Sequence, residues 1–416
     1  MKKETAEMRN FIETRLKTRN LVLWGIGENA QQFYLTYKER YQITACVSSQ
    51  MEHQEYLINE EDGLTITDWS QYVKNERDYI IILDEPYAIT ENQLLAEGFV
   101  LFEDYVERYI AEYIMSGKKL AIMAGNCQIV TASEFLRQIK SFTDEYYLLR
   151  FSSHYWKSRW SIKSLSLLKG MLDLYLCMYH EEGDPLFFSK EELPASCRVV
   201  TLPYAVGRPY WLQMKSGRKS AENEFYIRNK ATSKHGPFEV GDININRMIA
   251  EGKGVEEIVS ALTSEDFYTE EQVNEHIDMA LRVLEYAEQE CDIKILPYIR
   301  ENYRKEMLYR DMTHMQPKLI CEYARQILLY LGIDDKEIDE MLEKNTDISI
   351  YQKYSVHCTE VPVYPSVAKH MGLEWYHKDM TWDVTFYNGM RKLTFEEYIR
   401  EYYNLCSKMK QILEEW

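Results

Sequence analysis

Twice within the first 140 residues, a short apolar run ends at a glycine turn and passes into a helical repeat. No other feature of the chain restricts its fold so tightly. The first instance is Leu21-Val22-Leu23-Trp24, then Gly25-Ile26-Gly27-Glu28-Asn29-Ala30, then helical spacing from Gln31 to Arg40 and a second apolar run, Ile43-Thr44-Ala45-Cys46-Val47. The second runs from Lys119 to Ala124, turns at Gly125-Asn126-Cys127-Gln128, and continues as an amphipathic helix with Ile129, Val130, Phe135, Leu136 and Ile139 on its apolar side. Short unbroken apolar runs joined through glycine turns to helices are the pattern of buried strands with helical crossovers. An α/β fold follows: a small Rossmann-like N-terminal domain, then a larger α/β domain with a helix-rich C-terminal half.

The remaining pattern extends both units. Tyr79–Leu83 reads as a buried strand, the helix containing Leu94 is stopped by Gly98, and Phe99–Phe102 reads as a further strand. A helix over roughly Tyr105–Met115 leads to Ser116-Gly117, which sets the domains at 1–115 and 118–416. Strands are expected at Leu172–Cys177 and Arg198–Leu202. From about 240 to 345 the periodicity is mostly helical, clearest over Val273–Gln289 and over Leu319–Leu331, the latter stopped by Gly332, and Phe395–Trp416 reads as a terminal amphipathic helix. The polar, basic stretch Lys215–Gly236 is expected to be a surface loop. A chain of 416 residues exceeds what one core usually holds, in keeping with two domains.

Charge narrows the partners. Lys and Arg total 49 against 67 Asp and Glu, a net charge of −18, and a field of that sign repels nucleic acid and anionic membrane. No apolar run is long enough to span a bilayer, and the start Met1–Glu7 lacks the apolar core of a signal peptide. The eight cysteines are scattered with no CxxC pair, as expected of reduced cytoplasmic thiols without a disulfide framework or a metal site. The 33 tyrosines suit large half-polar surfaces such as carbohydrate clefts. The composition leaves a homo-oligomer open.

The two turns differ in what they can do. Glycines at the first would let a pyrophosphate approach the backbone at a helix N-terminus. The acid expected at the end of the following strand is replaced by Ser48-Ser49, so NAD is not expected, and a structural or sugar-sensing role competes with nucleotide binding. The second turn puts Cys127 where a strand's carboxyl end meets a helix N-terminus, a setting that favours a thiolate, with backbone amides and Asn126 or Gln128 as oxyanion donors and Gly125 admitting a substrate. A buried structural cysteine in an ordinary turn is the alternative. A nucleophilic thiol needs a base. His314, in Arg310-Asp311-Met312-Thr313-His314-Met315-Gln316-Pro317, lies before a helix opened by Pro317, with an acid at hand to fix its tautomer. His154 and His357 compete, and a single histidine is more often a cap or core-edge residue.

From about residue 119 onward the chain resembles the WcbI family of polysaccharide-biosynthesis enzymes. The resemblance is carried by Gly125-Asn126-Cys127-Gln128, the strand from Asp173 leading to Pro185-Leu186, Val199–Tyr204, Cys291–Ile295, Asn302-Tyr303-Arg304, and Thr313-His314 with Pro317 before the helix ending Leu331-Gly332. Two residues separate His314 from Pro317 where the family reads His-Pro, and the N-terminal domain is an addition. The resemblance implies a coenzyme A-dependent O-acetyltransferase acting on a capsular or other surface sugar. Coenzyme A or acetyl-CoA would be the ligand and a sugar or polysaccharide the acceptor. Cys127 and His314 would be catalytic, and Gly125, Asn126, Gln128 and Arg310 would bind the cofactor. The competing reading is a non-catalytic nucleotide-sugar or glycan-binding module, with a hydrolase using the same pair as a third. The missing acid after the first turn predicts that fluorescence titration with NADH shows no tight binding, and saturation at low micromolar concentration contradicts it.

Overall fold

A computed structural model of the protein describes residues 2–49, 64–83, 87–152, 161–179, 188–205, 209–213, 242–311, 314–344, 360–386 and 389–414. They form two compact units, Met1–Val130 with Arg137–Val200, and Thr131–Leu136 with Thr201–Trp416.

The first unit contains two sheets. One is built from β1 (Asn20–Trp24), β2 (Ile43–Ser48), β3 (Thr65–Asp68), β4 (Asp78–Ile82) and β5 (Tyr105–Glu107), in the order β3-β2-β1-β4-β5 and parallel throughout. That is the order of a doubly wound sheet. The other is ordered β7-β6-β8-β9, from β6 (Lys119–Gly125), β7 (Tyr146–Ser152), β8 (Leu172–Met178) and β9 (Arg198–Leu202), with β6 parallel to both β7 and β8. Helices α1 (Lys2–Thr18), α2 (Glu28–Tyr37), α3 (Tyr87–Ala96), α4 (Arg108–Ser116), α5 (Cys127–Leu136), α6 (Lys140–Glu145) and α7 (Ile162–Gly170) accompany them. Parallel strands buried on both faces need continuous apolar sequence, which Tyr79–Leu83 and Leu120–Ala124 supply. A single buried cluster takes in β1 and β4, Ile12 and Leu16 of α1, Leu120 and Ile122 of β6, and Leu168 of α7. The stretch around residues 115–118 therefore marks a change of sheet within one core.

One strand lies elsewhere than its apolar pattern suggests. Phe99–Phe102 does not form the edge strand. Phe99, Leu101 and Phe102 are buried in a turn instead, with Phe102 in the left-handed region at φ 70°. The Asp104 carboxylate accepts from Val100 N at 2.9 Å, and Phe102 N donates to the Tyr105 carbonyl at 2.7 Å. The strand then forms at Tyr105–Glu107, so the helix expected from Tyr105 begins at Arg108.

The second unit is mainly helical, with helices Ile243–Ala250, Val255–Leu262, Glu270–Gln289, Leu296–Asn302, Pro317–Leu331, Asp335–Lys344, Pro365–Met371 and Phe395–Glu414, and an antiparallel hairpin of β10 (Trp382–Phe386) and β11 (Gly389–Leu393). Local chemistry sets several ends. Thr269 and Gln272 form a capping box, Pro317 opens its helix, and Gly332, at φ 90°, closes it. Among the described residues no helix is long and apolar enough to cross a membrane.

Glu107 closes β5 with only 1% of its surface exposed. It accepts from Ser161 N, at the start of α7, at 3.4 Å. Burial pushes its carboxyl up to about 7, opposed by Ser164 and Ser161 and reinforced by Glu91. A carboxyl whose folded-state value is raised stabilises the fold fully below the ordinary glutamate range, and loses that contribution as pH rises through about 7. Stability against urea should therefore fall between about pH 5 and pH 8, by on the order of 2–3 kcal/mol from this group. Glu107→Gln should flatten the profile, and an unchanged slope in that variant would refute the assignment.

Candidate active site

The Gly125–Gln128 turn lies at the carboxyl end of β6. Because β7 pairs on one side of β6 and β8 on the other, the chain leaves β6 in one direction and later returns across it. Such a switch point opens a crevice at the carboxyl ends of the strands, where open α/β sheets bind ligands. Asn126 caps α5: its Oδ1 accepts from Gln128 N at 3.0 Å and its carbonyl from Val130 N at 3.1 Å. Cys127 is consequently the first residue inside the helix, half-buried at the end where backbone amides lack helical partners. Gln128 is buried. Gly125 has a packing reason to be glycine, since a Cβ there would overlap Cγ1 of Ile129 and lie 3.1 Å from Cβ of Met178.

His314 belongs to a short hairpin of the second unit. Tyr309 and Met315 form an antiparallel bridge, Arg310 N donates to the His314 carbonyl at 2.8 Å, and Gln316 N donates to the Leu308 carbonyl at 2.8 Å. At its tip, the Asp311 carboxylate takes His314 N on Oδ1 at 2.9 Å and His314 Nδ1 on Oδ2 at 2.7 Å. The Asp311 side chain is 11% exposed and that of His314 27%. Arg310 Nε donates to Gln316 Oε1 at 3.2 Å, and Gln316 Nε2 donates to Glu360 Oε1 at 3.0 Å. Asp383 N donates to Glu360 Oε2 at 2.9 Å, and Val361 N to the Arg310 carbonyl at 2.8 Å. Tyr309 is buried beneath the hairpin, and burial holds its hydroxyl well above the usual tyrosine range.

The expected site residues thus fall into two groups. Gly125, Asn126, Cys127 and Gln128 share one turn in the first unit, and Arg310 and His314 share one hairpin in the second. His154, His357 and the Lys215–Gly236 loop lie outside the described residues. Asp311, Gln316 and Glu360 complete the hairpin. Asp311 was signalled by its place three residues before His314, whereas nothing local marks Glu360. At the first glycine turn, Gly25 adopts φ 141° and Gly27 precedes α2 without a side-chain cap. Arg108 donates from Nη1 to Asn29 Oδ1 at 2.6 Å and from Nε to Glu112 at 2.7 Å, and Glu112 also accepts from the Tyr147 hydroxyl at 2.6 Å. No group of three or more His, Cys, Asp or Glu placed to hold a metal occurs among the described residues.

The first unit thus carries a half-buried thiol at the carboxyl end of a central parallel strand of an α/β fold, and the second an imidazole bonded to a carboxylate. Residues 189–336 match the family model described as polysaccharide biosynthesis enzyme WcbI, in line with the resemblance read from the sequence. This region contains Arg310, Asp311 and His314, and the Gly125–Gln128 turn precedes it. A solved structure described as WcbI, a novel polysaccharide biosynthesis enzyme, in its native form without the disulfide bond between coenzyme A and a cysteine, is similar in fold. It is 17% identical with a TM-score of 0.52, over 70% of this chain and 90% of that one. Comparison with curated proteins finds no match.

Burial pushes the thiols of Cys197 and Cys321 up to about 11 and that of Cys406 up to about 12. Cys127, half-buried at a helix N-terminus, should be the first of these to react with iodoacetamide as pH is raised. Peptide mapping in which Cys197 or Cys321 is labelled earlier would remove the case for a reactive Cys127.

Proposed function

We propose that the protein is an acyltransferase of surface-polysaccharide biosynthesis, moving an acetyl group from a coenzyme A thioester to a sugar hydroxyl. The observation that carries this reading is Cys127 as the first residue of a capped helix at the switch point of a parallel sheet, in a chain whose residues 189–336 match the WcbI family. The residues suit a coenzyme A thioester as substrate. Gly125, Asn126 and Gln128 frame the N-terminal amides of α5, and Arg310 adds a guanidinium, two kinds of group that bind phosphate oxygens.

The chemistry proceeds in two balanced steps. The Cys127 thiolate attacks the thioester carbonyl, the carbon–sulfur bond to coenzyme A breaks, and coenzyme A leaves as the thiolate, with the acetyl group on Cys127. A sugar hydroxyl then attacks the acyl-enzyme, His314 takes its proton, and the Cys127 sulfur leaves as the sugar ester forms. The positive end of the α5 dipole favours the charge of the tetrahedral oxyanion.

Mass spectrometry after incubation with acetyl-CoA should find an acetyl adduct on the peptide containing Cys127. His314→Ala should lower turnover about 10²–10⁴-fold, the usual worth of a general base. Cys127→Ala should abolish it, and the double variant should lose little more, because groups that act as one unit are non-additive. Normal turnover in Cys127→Ala would remove the acyl-enzyme and leave direct attack by the sugar hydroxyl.

A further inference from the structure

We infer that Asp311 is a positioning residue for His314, fixing its imidazole with the proton on Nδ1 and so presenting Nε2 as the proton acceptor. The catalytic meaning of this inference rests on the acyl-transfer reading above; its structural content does not.

An ionised carboxylate can only accept, so the 2.7 Å contact between Asp311 Oδ2 and His314 Nδ1 requires a proton on Nδ1. In the neutral imidazole the lone pair then lies on Nε2. The second oxygen of the same carboxylate takes the His314 backbone amide at 2.9 Å. Side chain and main chain of His314 are therefore gripped by one group, which leaves its ring little freedom to rotate. Asp311 is itself held. The bridge between Tyr309 and Met315 and the Arg310–His314 backbone bond close the hairpin around it. Gln316, bonded to both the Arg310 guanidinium and the Glu360 carboxylate, braces the hairpin's base. Among the described residues, Gln316 stands between the charged groups of Arg310 and Glu360. The Asp311 side chain is also the more buried partner, which limits solvent screening of the contact while the imidazole stays reachable.

A purely structural aspartate, present only to turn the chain, would serve as well with the imidazole in either tautomer. The deciding measurement is nitrogen NMR of the full-length protein with ¹⁵N-labelled histidine, assigned to His314 through the His314→Gln variant. Wild type should show His314 as the Nδ1–H tautomer at high pH. Asp311→Asn, which keeps the shape and removes the charge, should lose that preference and lower the titration midpoint by about one pH unit. An Nε2–H tautomer in wild type, or a tautomer and midpoint unchanged in Asp311→Asn, overturns the inference. The wild-type spectrum decides by itself, so a variant that fails to fold does not protect the idea. In an acyl-transfer assay, Asp311→Asn should lower kcat about 10²–10⁴-fold with KM little changed. If the Nδ1–H tautomer is found but wild type transfers no acyl group, the proposed function fails while the positioning role stands.

Discussion

The second unit is organised around one fully buried carboxylate, that of Asp242, which holds segments far apart in sequence. Its oxygens accept from the backbone amides of Asn244 and Ile245 at 2.9 and 3.0 Å, capping the helix Ile243–Ala250, and from the Tyr364 hydroxyl at 2.8 Å. Its own amide donates to the Tyr402 hydroxyl at 3.1 Å, and that hydroxyl donates to Asn246 Oδ1 at 3.0 Å, which ties in the C-terminal helix. Tyr268, before the helix Glu270–Gln289, accepts from Asn244 and packs against the Tyr364 ring. Burial pushes the Asp242 carboxyl up to about 6, opposed by these same donors. Each donor left unpaired in such a place would cost about 1–3 kcal/mol, so the network is held as a set. The hairpin bearing His314 leans on it, because the stretch ending at Tyr364 begins with Glu360 and Val361, which bond to Gln316 and Arg310.

In the first unit the governing constraint is the parallel strand. Parallel strands require crossovers, crossovers bury both sheet faces, and ligands are left with the strands' carboxyl ends. Both glycine turns occupy such ends, after β1 and after β6, each on the strand where its sheet changes direction. Their chemistry differs because of the residues that follow. After β1 the turn is tied by Asn29 to Arg108, and through Glu112 to Tyr147 of the second sheet. After β6 a capped helix begins on a thiol.

Much of this was legible in the sequence. The strands at Leu21–Trp24 and Lys119–Ala124 run straight into glycine turns, those at Ile43–Val47 and Tyr79–Leu83 are mostly apolar runs, and the helix ending at Leu331 is stopped by Gly332. The edge strand was not legible, because Phe99, Leu101 and Phe102 are apolar for a buried turn, and a left-handed Phe102 leaves no trace in periodicity. The short β3, the strand β7 and the helix α1 gave too little contrast in pattern. Of the candidate residues, Cys127 could be placed from its local context, since strand, turn and helix are contiguous. The support for His314 could be read only as far as Asp311, because Glu360 reaches it through a bond spanning 44 residues.

The continuous core beneath the two sheets of the first unit bears on how the N-terminal segment came to be part of this chain. Leu120, Ile122 and Ala124 of β6, the strand that presents Cys127, lie in the same buried cluster as β1 and β4. Helix α1 packs against both α4 and α7. A segment that shares its interior with the strand bearing the thiol cannot be exchanged between proteins like a bead on a string. A chain that gained or lost it would have to reshape the apolar face of β6 in the same event, so its presence in a relative should be accompanied by correlated change in the very strand that leads to Cys127.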